Sequence, residues 1–371
     1  MFIVMVTSLA LVGGTRGPIV ILGNADFIAE NGVVSGAGTR EDPYILAGWE
    51  ITVPSGEFHG VKIENVSASF VLRGLVINGA NQLEGAAIRI GFASGGAVDK
   101  CTITNSVNGI EIISSTGIAV RDTVLSVTGR GLHVVGESSE EYRHSIEPST
   151  ELNGYPVLYY HDVDGETIEG QRTTHLTIAA SRGVKVLKNE IVNGDGIELA
   201  FVEDSTVSEN AVYRTSPVLT GSGIHLYASH RNEVTKNSLR NNRLAGIQLT
   251  LATGNMLRQN ELLANDVGIR LFAADENTIT LNSCFANRTG IEVISGSNAN
   301  ELSANLIFHE NTKQGIALES ATANRVERNV ITNAEMGVVM EAQASNNTVA
   351  NNSVISCGYG MTISGSYNEI N

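Results

Sequence analysis

The chain has 371 residues, with 24 Lys plus Arg against 39 Asp plus Glu and a net charge of −15. That balance argues against a nucleic-acid partner, because phosphate binding needs a basic patch. Aromatics make up 5%, Gly reaches 39 and Pro only 6, which is a composition of short turns and aliphatic strands. Such a length implies two or three domains unless a repeat builds the chain unit by unit.

The N-terminus, MFIVMVTSLALVGGTRG, carries an apolar run too short to span a bilayer. It ends in small residues like a secretion signal, although its first basic residue is Arg16. Residues 1–16 are therefore expected to be the remnant of a leader, the alternative being an apolar first strand. No later segment is long and apolar enough for a membrane span. Residues 17–371 are expected to form one domain, with a cap segment over 17–50.

A repeat then takes over. HGVKI at 59–63, AAIRI at 86–90, NGIEI at 108–112 and RGLHV at 130–134 share one frame. The frame continues at Gly196, Gly223, Gly246, Gly268, Gly290, Gly315, Gly337 and Gly360, with spacings of 27, 23, 22, 22, 25, 22 and 23. The stretch 136–172 interrupts it. There LNGYPVLYY and ETIEG, on either side of the turn DVDG, predict a projecting β-hairpin.

Two Asn columns ride on the repeat. Asn232, Asn255, Asn277, Asn300, Asn324 and Asn347 each precede a second Asn by five residues. The second set is Asn237, Asn260, Asn282, Asn305, Asn329 and Asn352. Between them the apolar residues alternate, as in Ile247/Leu249 and Ile269/Leu271, which is the period of strands. Three short strands and three turns, with Asn and Gly tolerating left-handed backbone, fit one coil of a parallel β-helix. A coil cannot repay its own ordering entropy, so coils must stack, and an amide can bond the Asn above and below it. A leucine-rich repeat of this length would show one Asn column and a Leu consensus. The expected fold is all-β: a single right-handed parallel β-helix of about thirteen coils. Cys101, Cys284 and Cys357 lie far apart without metal-ligand spacing and read as buried small hydrophobes.

The segment NGVVSGAGTREDPYILAGWEI at 31–51 resembles the N-terminal motif of archaeal secreted proteins with NosD-like β-helices. The text LNGYPVLYYHDVDGETIEG is similar to an insertion of the same group. The resemblance covers Pro18 to Asn371. It implies the right-handed β-helix architecture of pectate lyases and a location outside the cell or on its surface. The bacterial namesake serves copper-site maturation of nitrous oxide reductase, a role that most relatives sharing the helix do not carry.

Reactive groups of β-helix enzymes line an outer strand face. Two residues after each Gly-type position, the outward column reads Lys62, Arg89, Glu111, His133, Thr177, Glu198, His225, Gln248, Arg270, Glu292, Ala317, Val339 and Thr362. Stacking brings neighbours to about 5 Å. Glu111–His133 and Glu198–His225 thus become the candidate acid–base pairs, since a carboxylate beside an imidazole favours its charged form. The plainer account is a row of surface ion pairs, each worth under about 1 kcal/mol. Arg89, Gln248 and Arg270 are candidate substrate contacts. Tyr227 and Phe272, two residues further along their strands, offer a platform for sugar rings or packing for a loop. Tyr159 and Tyr160 on the expected hairpin would wall the groove. Asp162, Asp164 and Glu166 supply oxygen ligands for a possible calcium, but without EF-hand spacing, so no cofactor is expected. The polygalacturonase and alginate-epimerase motifs are missing, as are His-x-His and Met-x-x-Met copper pairs. Sequons occur at Asn65, Asn287, Asn346 and Asn351.

The expectation is a secreted or cell-surface β-helix protein, non-catalytic, with polysaccharide or envelope glycan as partner. The alternatives are a polysaccharide lyase, hydrolase or epimerase, and a copper-delivery accessory.

Overall fold

The computed structural model describes residues 14–215, 221–308 and 312–371. The expected leader thus lies outside the described residues except for Gly14–Arg16, a strand paired in parallel with Trp49–Thr52. The chain winds as an all-β parallel solenoid of about fourteen turns. Its contacts divide it into two units. The described part of the first spans 14–137 and 144–154; the second comprises Ser138–Arg143 and Tyr155–Asn371.

In the first unit, Val61–Val66, the start of Ile88–Asp99, Ile110–Ile113 and Leu132–Val135 stack in register, with Val61 facing Ile88, Ile110 and then Leu132. The cap begins as a loop with two short 3-10 turns, Asn24–Asp26 and Ala29–Asn31. Asn24 accepts from the backbone N–H groups of Ser67 and Ala68, both at 3.0 Å. Phe27 stacks on Tyr44 at 4.7 Å and on Phe70 at 5.9 Å, which closes the apolar interior.

In the second unit each coil contributes three strands. One ladder of ten runs from Thr167–Glu169 to Glu369–Ile370. The alternation read in the sequence places Ile247, Leu249, Ile269, Leu271, Ile291 and Val293 inside, each at 0% exposure. Every such side chain gains about 1.5–3 kcal/mol from burial, provided the neighbouring coils are present to cover it.

The Asn ladders explain the repeat's strictest positions. Asn255 donates from its backbone N–H and from Nδ2 to Asn277 Oδ1, at 2.9 and 3.0 Å. Its own Oδ1 accepts the equivalent pair from Asn232. Its Nδ2 also donates to the carbonyl of Ser229 at 2.9 Å. Each buried amide is thus satisfied inside the solenoid, without water. A third column, Asn242, Asn265 and Asn287, repeats the pattern. Asn287 is 1% exposed and bonded to Leu262, so its sequon cannot carry a glycan.

Two sequence expectations need correction. The left-handed corners fall on the residues before the ladder Asn; these are Asn or Gly at Gly254, Asn346 and Asn351, as expected, but Gln259, Glu276, Leu281, Ala299 and Ala304 also have φ near +55°. Each costs about 1–2 kcal/mol, and the ladder hydrogen bonds that follow hold it in place. The Gly column after Gly196, itself at φ +91°, serves space instead. Gly268 has no positive φ, but a Cβ there would lie 2.4 Å from the carbonyl of Gly290 and 2.9 Å from Cys284 Sγ. Secondly, 155–170 is not a hairpin. Tyr155–His161 pairs in parallel with Arg172–Ala179, and Thr167–Glu169 pairs in parallel with Lys185–Leu187. The turn DVDG is therefore the corner of an ordinary coil. Its extra polar residues masked the repeat, not the pairing.

Candidate functional site

Parallel register builds the outward column as the periodicity requires. In the second unit Tyr159, Thr177, Glu198, His225, Gln248, Arg270 and Glu292 stand opposite one another on successive strands. Ala317 and Val339 continue it as an apolar stretch. His225 Nδ1 lies 3.7 Å from Glu198 Oε1, and its Nε2 is 3.0 Å from Thr250 Oγ1. Gln248 donates to Thr250 at 3.0 Å and accepts from Ser222 at 2.9 Å. Arg270 donates to Glu292 at 2.5 Å, with the side chains 23% and 15% exposed. The row is half-buried and bonded along itself.

The flanking column Tyr227, Thr250, Phe272 and Ile294 also forms. Only part of it is open. Phe272 is 42% exposed. Tyr227 packs steeply against Phe201, 5.6 Å between ring centres at 89°, and against Tyr142 at 6.3 Å. Tyr142 comes from Ser138–Arg143, a short segment with a 3-10 turn closed by a capping box between Ser138 and Glu141. This segment covers what the sequence offered as groove wall. Tyr159 is 8% exposed, and its hydroxyl donates to the Tyr142 carbonyl at 2.6 Å. Burial, and then the charge of Glu198, push its phenol up. Tyr160 packs on the apolar core, and burial raises its phenol too. Tyr159 is covered, while Tyr160 keeps part of its side chain exposed.

Close by in the chain lies a buried constellation the sequence did not announce. His175 Nδ1 faces Asp195 Oδ2 at 2.8 Å, and His175 Nε2 faces Thr177 Oγ1 at 2.8 Å. A carboxylate accepts, so Nδ1 carries the proton and the Thr177 hydroxyl donates to Nε2. The order matches a hydrolase relay. Thr177 is 1% and His175 3% exposed, however, so no substrate atom reaches the hydroxyl; the relay is a polar anchor within the wall. His175 stands two residues before Thr177, a strand spacing that was legible; its partner Asp195 was not.

In the first unit the column reads Lys62, Arg89, Glu111 and His133. Arg89 pairs with Glu64 at 2.9 Å and also bonds Glu111. His133 Nδ1 lies 3.4 Å from Glu111 Oε1, while Arg130 donates to Nε2 at 2.6 Å. Burial pushes the Glu111 carboxyl up, but the His133 hydrogen bond and the Arg89 charge outweigh it and hold it below the usual range. Glu111 and His133 thus belong to the first unit and Glu198 and His225 to the second, and each pair is complete within its own unit.

Asp162, Asp164 and Glu166 form no calcium cradle. Asp162 is held by Arg143 at 2.9 Å and by His161 at 3.1 Å, and among the described residues no three His, Cys, Asp or Glu side chains converge on a metal position. Copper fits no better. Cys101 and Cys284 are buried, and burial pushes their thiols up to about 12. His175 has both ring nitrogens engaged, and Met340 is fully buried.

Comparison with known proteins gives a family. The sequence model described as periplasmic copper-binding protein (NosD) matches residues 57–242 and 153–311, and one described as a right-handed β-helix region matches 264–371. No curated protein matches the chain. Among solved structures, the Dettilon tailspike protein is 12% identical with a TM-score of 0.44; the match covers 84% of this chain and 62% of the tailspike, less than two thirds of its length. DFA-IIIase from Arthrobacter chlorophenolicus A6 is 12% identical over 96% of this chain and 94% of that one, TM-score 0.44. The Streptococcus pneumoniae surface adhesin PfbA is 12% identical over 94% and 99%, TM-score 0.36. With its model matched over more than half of the chain, this protein belongs to the NosD family of right-handed parallel β-helices.

Proposed function

We propose that this protein is an exported β-helix that binds polysaccharide along the outer face of its second unit without turning it over. The observation that carries this reading is the row Glu198, His225, Gln248, Arg270 and Glu292 running beside Thr250, Phe272 and Ile294. Donors and acceptors repeat at the strand spacing of about 4.8 Å beside an exposed ring, on a backbone fixed by hydrogen bonds on both sides. A surface for hydroxyl groups needs that pattern. Acid–base cleavage needs instead a group aimed at the substrate, whereas here Arg270 is spent on Glu292 and His225 on Thr250. No helix among the described residues is long and apolar enough to cross a membrane.

A second reading, a lyase, hydrolase or epimerase, draws on Glu111, a carboxylate held charged beside His133. One experiment separates the two. The full chain is tested on a panel of immobilised and soluble polysaccharides, with and without calcium, for retention and for new reducing or unsaturated ends. Retention without new ends is expected, weakened about tenfold by Glu198→Ala with His225→Ala. New ends that vanish in Glu111→Gln would move the protein to the enzymes. Binding untouched by the double substitution would sink the proposed face.

A further inference from the structure

Around the corner from that face, the second unit holds a cleft of about 570 Å³. Its floor comes from Ala180, Ser181 and Ala228, small residues on coils adjacent to the one bearing Phe201. Phe201 rises between them as a wall. Its steep contacts with Tyr142 at 5.7 Å and Tyr227 at 5.6 Å fix the ring, so a ligand meets it without ordering it first. The other wall is a second polar row. Asp164, Arg182, Glu203 and His230 face one another through successive parallel bridges. Asp162 and Ser139 close one end.

The charges choose among ligands. From outside the lining Arg143 pairs with Asp162 at 2.9 Å and Arg231 with Glu203 at 2.5 Å, so the three carboxylates of the cleft, those of Asp162, Asp164 and Glu203, stand in a nearly balanced field beside the one guanidinium of the lining itself. That guanidinium, of Arg182, is already bonded to Asp204 at 2.8 Å. His230 accepts the Thr253 N–H on Nδ1 at 3.2 Å, so the neutral ring carries its proton on Nε2 as a donor. The site therefore offers carboxylate acceptors and a few donors beside an aromatic ring, in a chain of net charge −15. A uronate chain would bring one more negative charge per sugar beside carboxylates whose neighbouring arginines are already engaged, within the Debye length of about 10 Å at 0.1 M salt. A neutral sugar brings hydroxyls that donate to carboxylates and C–H faces that lie on an aromatic ring.

We infer that the cleft between Phe201 and the Asp164–Arg182–Glu203–His230 row is a subsite for a neutral oligosaccharide, one ring of which lies against Phe201. This rests on the polysaccharide-binding reading above and specifies its ligand class. The cleft admits short oligosaccharides alone, while a polymer extends from it onto the Phe272 face.

The test is equilibrium binding to the full chain at low and moderate salt. The probes are neutral gluco- and manno-oligosaccharides, oligogalacturonates and chitosan oligosaccharides of matched length. Phe201→Leu keeps the apolar packing and removes the aromatic face; Arg182→Ala changes an exposed side chain; Phe272→Ala changes the strand face alone. Melting curves confirm that each variant folds. The expected result is binding of a neutral probe with little salt dependence, weakened about tenfold by Phe201→Leu, several-fold by Arg182→Ala and not by Phe272→Ala. Tighter binding of the uronate or the amino-sugar probe, or indifference to Phe201→Leu, would overturn the inference. If short probes bind through Phe272 alone, the inference fails and the polysaccharide face stands. If neither oligomers nor polymers bind, both fall together.

Discussion

Two stretches of the second unit obey the same coil geometry and differ in almost everything else. From Asn232 to Asn352 the coils repeat at 22 to 25 residues, and unbroken Asn columns run through them. From Tyr155 to Tyr227 the ladders are still parallel, yet the outward positions carry His175, Thr177, Tyr159 and Phe201, of which the first three are buried and the last two meet Tyr142 of the segment Ser138–Arg143. The first stretch is held by what every coil shares. The second keeps one Asn column, through Asn189 and Asn210, and adds particular contacts: it contains the cleft, the aromatic cluster and the polar relay. Chemistry collects where the repeat departs from itself, because a position copied in every coil is already committed to stacking.

The largest expected effect lies in the regular stretch. Asn260→Ala removes the acceptor for the N–H and Nδ2 of Asn237 and the donor to the Val234 carbonyl. Losing these buried partners should cost about 3 kcal/mol, read as a shift in the denaturant midpoint. A loss under about 1 kcal/mol would mean that water enters the ladder, and the contrast between the stretches would weaken. In the irregular stretch, His175→Ala should cost less, about 1–2 kcal/mol, because Asp195 and Thr177 each lose one partner at the edge of the solenoid instead of a link in a column. A larger loss than for Asn260→Ala would reverse the comparison.

The smallest effect concerns pH. The His161 hydrogen bond, then the Arg143 pair, hold the exposed Asp162 carboxyl below its ordinary 3.8. Its folded pKa is depressed, so its contribution is present above the unfolded value and lost as pH falls through the folded one. Solvent screening keeps it under about 0.5 kcal/mol. Protection of the Ser138–Arg143 amides, measured against the intrinsic exchange rate at each pH, should therefore fall by about twofold below about pH 4, and Asp162→Asn should remove that dependence while the regular coils stay unchanged. An equal fall in protection in both stretches would show that the segment is not anchored there.

Much of this was legible beforehand. A period of about 22 residues with internal alternation dictates which residues face in, and in-register stacking then dictates that Glu198 meets His225 and Arg270 meets Glu292. These relations follow from strand spacing alone. Even the false hairpin at 155–170 failed locally: its extra acidic turn, Asp162 to Glu166, looked like a loop tip although the strands on both sides kept their coil positions.

The tertiary structure decided depth. Whether Tyr159 and Tyr227 face solvent or lie covered depends on Ser138–Arg143, a segment with no repeat of its own, and periodicity is silent about what packs on an outward face. The left-handed corners at Gln259 or Leu281 were equally hidden, because hydrogen bonds of the following Asn hold a conformation those side chains do not prefer. The sequence by itself determined the coil, its register and its ladders, since those are set by spacing. Folding determined which outward groups remain open to a ligand, since that is set by contacts between residues far apart in the chain.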